Sequence, residues 1–328
     1  MKVLVTGAAG FVGSSLVDQL LGAGHHVVGI DSFEDYYDRR FKEAAVAPAV
    51  GSASYRLIEA NILDLAAQEG TENLSGLVRW ADVIYHLAAQ AGVRASWGNT
   101  FATYTDNNVL ATQLMLEAAK QEGVEAFVYA SSSSVYGDTD EFPMCESAKC
   151  RPFSPYGVTK LAGEHLCQLY WRNFSLPTVS LRFFTVYGPR QRPDMAFHQF
   201  MRAMTTGTPI EVYGDGFQTR DFTFVDDIVR GLVAAPSAPG GCVLNLGGGS
   251  RVSLAEALDV LGEVVGRAPE ILMASRQAGD VRDTWASIDR ARETIGYAPT
   301  VTLHDGLAAE WAWFAANAAP VYAARGNR

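Results

Sequence analysis

The stretch "KVLVTGAAGFVG", residues 2–13, decides the fold. Its first residues, "KVLVTG", read as a buried strand running into a glycine. Gly7, Gly10 and Gly13 follow in a G-x-x-G-x-x-G pattern, and helical apolar spacing continues through "FVGSSLVDQLLGAG". A strand that turns on glycines directly into a helix offers backbone N–H groups and the positive end of a helix dipole to a pyrophosphate. Missing side chains let the backbone turn tightly, approach the phosphates and pack helix on strand. The next strand, "HVVGID", ends at Asp31. A carboxylate there accepts hydrogen bonds from the adenosine ribose hydroxyls and repels a 2′-phosphate, which favours NAD over NADP.

Working outward, "YRLIEANI", "ADVIYHLAA", "AFVYASS" and "TVSLRFFTVYG" are further apolar runs, and helical patterns lie near 101–122 and 156–173. Val- and Ile-rich strands separated by helices predict right-handed βαβ units and a parallel sheet. Ligands on such sheets sit at the carboxyl ends of the strands. Asn61 and Ile62 then flank the adenine, and Leu87, Ala88 and Ala89 lie beneath the cofactor. After "YGPRQRPD" short helices and strands mix, with glycine-rich turns at "YGDGFQ" and "NLGGGS". The expected architecture is α/β. A Rossmann-type doubly wound parallel sheet spans 1–190, with returns near 222–247. A smaller mixed α/β substrate lobe spans 191–221 and 248–328.

Of the 328 residues, 48% are hydrophobic, enough for a substantial core. The net charge of −10 argues against a nucleic-acid partner, so an anionic ligand has to be held by local arginines. Cys145, Cys150, Cys167 and Cys242 show no C-x-x-C spacing and read as reduced thiols. No metal site is expected; Asp226 and Asp227 in "FVDD" read as first-turn helix carboxylates. Glycines interrupt the apolar amino terminus, and no apolar run reaches membrane-spanning length. The expectation is a cytoplasmic protein without a membrane partner.

"SPYGVTK" opens a helix after a proline-led loop. Tyr156 and Lys160 are four residues apart and share a face. A phenol with a pKa near 10 is a poor base, and a nearby ammonium with the positive nicotinamide of NAD favours the phenolate. Lys160 can also hold the nicotinamide ribose.

"TGAAGFVG", "HLAA", "SSSSVYG", "YGVTK" and "RFFTVYGP", in this order along nearly the whole chain, resemble the extended short-chain dehydrogenase/reductase family acting on nucleotide sugars. The resemblance implies that a serine, a tyrosine and a lysine act together, and alignment on VYG makes Ser132 the partner of Tyr156 and Lys160. The serine bonds a sugar hydroxyl, the tyrosine removes its proton, and a hydride passes to tightly held NAD. Phe11, Val12, Ser32, Asp35, Asn107 and Phe183 are implied as further cofactor residues. A homodimer built on the helices near 101–122 and 156–173 is implied as well.

Relatives that dehydrate nucleotide sugars carry Asp-Glu directly before VYG, and the decarboxylases carry Glu. Here Ser133 and Ser134 stand in those places. A hydroxyl does not readily exchange protons near pH 7, so the acid and base of those side reactions are missing. What remains is oxidation at C4, turning of the ketone and return of the hydride to its other face.

"DSFEDYYD", "AAQAGVR", "SSSSVYG" and "RFFTVYGP…RPDMA" are most similar to UDP-glucuronate 4-epimerases. In those enzymes an arginine ahead of PDMA meets the C6 carboxylate, which maps to Arg192, in the segment that ends at Ala196. Thr185 stands where UDP-glucose 4-epimerases usually have Asn. The resemblance puts Tyr213 near the uracil and Arg220 on the diphosphate. Gln277, with Arg276 and Arg282 nearby, occupies a place that often holds a diphosphate arginine. The expected reaction interconverts UDP-glucuronate and UDP-galacturonate. The alternatives are a 4-epimerase for a neutral UDP-hexose or UDP-N-acetylhexosamine, or a decarboxylase or dehydratase of the same family.

Overall fold

The computed structural model describes residues 1–326. Seven parallel strands form its centre: β1 (Lys2–Thr6), β2 (His26–Asp31), β3 (Tyr55–Glu59), β4 (Val83–His86), β5 (Ala126–Ser132), β6 (Thr178–Phe183) and β7 (Cys242–Leu246). Their order across the sheet is β7-β6-β5-β4-β1-β2-β3. The winding reverses at β1, which lies between β4 and β2, and this opens a crevice at the carboxyl ends of the strands.

Both faces of the sheet are covered. Val3 and Val5 of β1 enter one core cluster and Leu4 the other. On β5, Val128 joins the first cluster, and Phe127 and Tyr129 the second. A strand buried on two faces needs apolar residues at successive positions, which is why these segments read as continuous runs. Helices Phe11–Gly22 and Val225–Ala234 cover one face; Ala111–Glu122 and Pro155–Phe174 cover the other.

The helix expected near 101–122 is interrupted. Phe101–Thr105 is α-helical, Asp106–Leu110 is a π-turn, and Ala111–Glu122 is α-helical again. Such a wide turn is a frequent device at functional sites. Asn107 lines the crevice, and Asn108 anchors its wall: its Oδ1 accepts from Gln90 N at 2.7 Å, and its Nδ2 donates to Gln90 O at 3.0 Å and to Thr159 Oγ1 at 2.9 Å.

Beyond β6 lie two-stranded sheets outside the central one. Ile210–Tyr213 pairs in parallel with Ile271–Ala274, and Thr219–Arg220 pairs antiparallel with Val252–Ser253. Between these passages the chain returns to the sheet as β7, at the edge beside β6. Among the described residues no helix is long and apolar enough to cross a membrane.

Candidate active site

The glycine turn is sterically fixed. Gly7 has φ +70, and a Cβ there would lie 2.8 Å from Ala88 N; at Gly13 it would overlap the Gly7 carbonyl oxygen. The helix at Phe11 starts from Gly10 with no side-chain cap and no acid in its first turn. Its amino-terminal N–H groups are therefore left for an anion from outside the chain, as a dinucleotide pyrophosphate requires.

The crevice collects residues from the end of each strand around it. Gly7, Gly10, Phe11, Val12 and Gly13 follow β1; Asp31 and Ser32 end and follow β2; Asn61 and Ile62 follow β3; Leu87, Ala88 and Ala89 follow β4. Asn107, Tyr156, Lys160 and Phe183 complete this wall. Asp35 is exposed and outside the lining, where its neighbour Glu34 takes part and accepts from Asn61 Nδ2 at 3.3 Å.

Asp31, read from the sequence as the ribose-binding carboxylate, is already engaged within the chain. It accepts from Ala9 N at 3.0 Å, Phe33 N at 2.9 Å and the Lys42 ammonium at 2.9 Å, with both side chains of this ion pair buried. One acceptor position remains for a ribose hydroxyl. Repulsion of a 2′-phosphate is partly neutralised by Lys42. A left-handed Phe33, φ 49, helps turn the chain so that helix Arg39–Val46 brings Lys42 back to β2. Lys42, Tyr36 and Tyr37 all line the crevice; the two tyrosines belong to the "DSFEDYYD" run, and no sequence motif singles out Lys42.

Ser132, Tyr156 and Lys160 come together beside the cofactor wall. Ser132 ends β5, its Oγ accepts from Ser134 N at 3.2 Å, and it hydrogen-bonds the Tyr156 phenol. Ser154 caps the next helix through Gly157 N at 3.1 Å, with Pro155 in its first turn. Lys160, one helical turn past Tyr156, is 3% exposed; its Nζ donates to Ala130 O at 2.9 Å and lies 5.2 Å from the Tyr129 ring centre. Burial pulls its pKa down to about 7. The phenol of Tyr156 is pushed up by burial, while Arg192 and the Ser132 hydrogen bond act the other way. The Lys160 ammonium is turned to the backbone carbonyl of Ala130.

The four serines separate. Ser131 is 3% exposed and donates to Glu164 Oε1 at 2.5 Å, and Glu164 is paired with buried Arg182 at 2.8 Å. Ser133 and Ser134 form a half-buried 3-10 turn with Val135.

Arg192 lines the same crevice as Tyr156. Its Nε and Nη2 each donate to Asp194 at 2.9 Å. Arg220 spends its fork on the chain itself: Nη1 donates to the carbonyls of Thr219 (2.9 Å) and Arg282 (2.8 Å), and Nη2 to that of Val281 (2.9 Å). It fastens the 281–282 segment. Tyr213 stacks under Arg94 at 4.3 Å, and Arg94 pairs with Asp280 at 2.6 Å. Gln277 and Arg276 line a separate depression with Trp97 and Phe153, and Arg282 reaches Asp215 at 3.3 Å. Thr185 is half-buried two residues past β6, and Ala196 is the exposed first residue of helix Ala196–Thr206. Asp227 accepts from Thr300 N at 2.9 Å and Val301 N at 3.3 Å, a structural use of the "FVDD" carboxylate.

The pattern of the NAD dependent epimerase/dehydratase family matches residues 3–247. The chain belongs to this family. Within it, the chain is 42% identical over 316 residues to an uncharacterized UDP-glucose epimerase of Bacillus subtilis, covering 95% of this chain and 98% of that protein. It is 36% identical to a probable UDP-glucuronate 4-epimerase of Rhizobium meliloti, covering 97% and 98%. A crystal structure of UDP-glucuronic acid 4-epimerase from Bacillus cereus, in complex with UDP-glucuronic acid and NAD, superposes with TM-score 0.91 at 43% identity, covering 96% of this chain and 99% of that one.

Proposed function

We propose that this protein interconverts UDP-glucuronate and UDP-galacturonate by epimerization at C4. Arg192 carries this reading: a guanidinium stands on the wall of the crevice that also holds Tyr156 and Lys160. Arginine suits bidentate recognition of a carboxylate. The relative crystallised with UDP-glucuronic acid and NAD, 43% identical to this chain, supports it.

In this reading Tyr156 accepts the proton of the C4 hydroxyl, which Ser132 holds by a hydrogen bond. Bound NAD accepts the C4 hydride, returns it, and by its positive charge favours the Tyr156 phenolate. Lys160 holds the nicotinamide ribose. The 4-keto sugar turns, takes the hydride on its other face and recovers its proton from Tyr156, so no net oxidation occurs. The intermediate is a β-keto acid, which loses CO2 when its C5–carboxyl bond stands perpendicular to the ketone. Arg192, with the Ser133 and Ser134 hydroxyls, keeps the carboxylate ionised and out of that alignment. Tyr213, Arg220, Gln277 and Arg282 serve the UDP end, Arg220 by shaping the 281–282 segment, and Thr185 and Ala196 border the sugar.

The division into a cofactor domain (1–190, with 222–247) and a nucleotide-sugar lobe belongs to the same proposal. So does a homodimer, which exposed Leu110, Val158 and Leu169 on the paired helices support. The four free cysteines support a cytoplasmic setting.

A neutral UDP-hexose is the second reading, favoured by the relative named as a UDP-glucose epimerase, 42% identical to this chain. The test incubates purified protein with UDP-glucuronate or UDP-glucose, without added NAD, and identifies the products by NMR. UDP-galacturonate as the faster product is expected. Conversion of UDP-glucose alone overturns the carboxylate reading, and no conversion of either, with or without NAD, overturns the epimerase.

A further inference from the structure

Arg192 does not stand alone in the crevice wall. Asp194, two residues on, takes Nε–H and one Nη2–H in a side-on fork, both at 2.9 Å. The Tyr36 hydroxyl, from the loop after β2, donates to the same Asp194 Oδ2 at 3.3 Å. Asp194 thus lies between the cofactor-binding loop and the substrate lobe. The segment around it is anchored too: Gln191 is buried and accepts from His198 N at 3.0 Å, and Gln199 Nε2 donates to Asp194 O at 2.9 Å.

A guanidinium has five N–H donors in a rigid plane. Asp194 uses two of them, on the Nε edge. The other Nη2–H and both Nη1–H donors remain, and the pair along the Nη1–Nη2 edge is parallel and spaced for a second carboxylate. A long, flexible side chain whose plane is locked by one carboxylate loses less entropy when it meets another.

We propose that Asp194 is the positioning residue for Arg192: it holds the guanidinium side-on, so that the end-on edge is presented to the substrate's sugar carboxylate. Tyr36 steadies Asp194 from the cofactor side. The inference rests on the reading of Arg192 as the carboxylate-binding residue. It adds that discrimination for an acidic sugar is a property of an Arg–Asp pair and not of one arginine.

The test compares wild type, Asp194→Asn and Asp194→Glu as purified holoenzymes. KM and kcat are measured for UDP-glucuronate, with the inhibition constant for UDP and the release of CO2. UDP lacks the sugar and reports the nucleotide site alone. For Asp194→Asn the expected result is a KM for UDP-glucuronate raised about tenfold, the scale of one charge-assisted hydrogen bond. The UDP inhibition constant is unchanged and CO2 release is measurable; Asp194→Glu recovers part of the KM. An unchanged KM without CO2 release overturns the inference, and so does an equal rise in the UDP constant, which marks a general structural role. Should Asp194→Asn not fold, Tyr36→Phe replaces it: a two- to threefold rise in the same KM supports the inference, and no rise overturns it. Wild-type protein that does not convert UDP-glucuronate overturns the functional reading and this inference together. Conversion by wild type with an indifferent Asp194→Asn overturns the inference alone.

Discussion

The Lys160 ammonium donates to the carbonyl oxygen of Ala130 at 2.9 Å, tying the helix that carries Tyr156 to the strand that carries Ser132. This bond fixes the relative depth of the two hydroxyls. Lys160→Met leaves a buried carbonyl unpaired, at a cost of about 1–3 kcal/mol. It also removes a donor facing the cofactor crevice. The expected outcome is a kcat at least 100-fold lower with NAD partly lost on gel filtration, read by steady-state kinetics and by the nucleotide content of the purified protein.

Ser131 and Ser132 should respond in opposite ways. Ser131→Ala strips a hydrogen bond from the buried Glu164–Arg182 pair, so it lowers stability by about 2 kcal/mol while kcat stays within about threefold of wild type. Ser132→Ala leaves the melting temperature nearly unchanged and lowers kcat by about 100-fold. Thermal melts and initial rates on both variants check the pair.

Much of this site was legible in the sequence, and the misses share a cause. The glycine turn, the strand-end residues and the Tyr156–Lys160 spacing are set by local geometry, which short motifs encode. Lys42 was not legible, because its approach to Asp31 depends on the turn at Phe33. Glu34 and not Asp35 lines the crevice for the same reason: loop direction, not periodicity, decides which of the two faces it. Arg220 read as a diphosphate ligand, and in the structure three of its donors go to backbone carbonyls, a use that charge alone does not reveal. The π-turn at Asp106–Leu110 leaves no mark in an apolar pattern.

Lys42→Met removes the only cation paired with Asp31 among the described residues. The carboxylate then repels a 2′-phosphate without compensation, an effect of about 1–2 kcal/mol at the effective dielectric of a partly buried site. The retained NAD:NADP ratio on reconstitution should rise roughly tenfold relative to wild type. The protein should also lose about 3 kcal/mol of stability, because a buried carboxylate loses its partner. Competitive reconstitution followed by mass spectrometry, with a denaturant melt, measures both.

His86 sets a limit on the acid side. Its Nδ1 lies 2.8 Å from Thr6 Oγ1, and its Nε2 3.0 Å from Thr112 Oγ1. Thr112 donates its own proton to Asn108 O at 2.7 Å, so the imidazole donates from Nε2 and accepts at Nδ1. Burial lowers its pKa from 6.5 to about 3. Between those values the unfolded chain binds more protons than the folded one, so stability is lost as pH falls below 6.5, by up to about 1.4 kcal/mol per unit. His86→Gln should flatten that slope, and melts at pH 7, 6 and 5 compare the two proteins.

The placement of β7 bears on how the chain can be divided. It pairs with β6 only after the chain has passed through Ile210–Tyr213 and Thr219–Arg220, which pair outside the central sheet. A fragment ending near residue 190 would hold the glycine turn, Asp31, Tyr156 and Lys160, yet leave β6 as a bare edge, with Val179 and Leu181 stripped of their neighbours. Such an edge invites pairing with another chain. The central sheet is complete only once Cys242–Leu246 has joined β6, so residues 1–190 are a poor candidate for excision as a separate module.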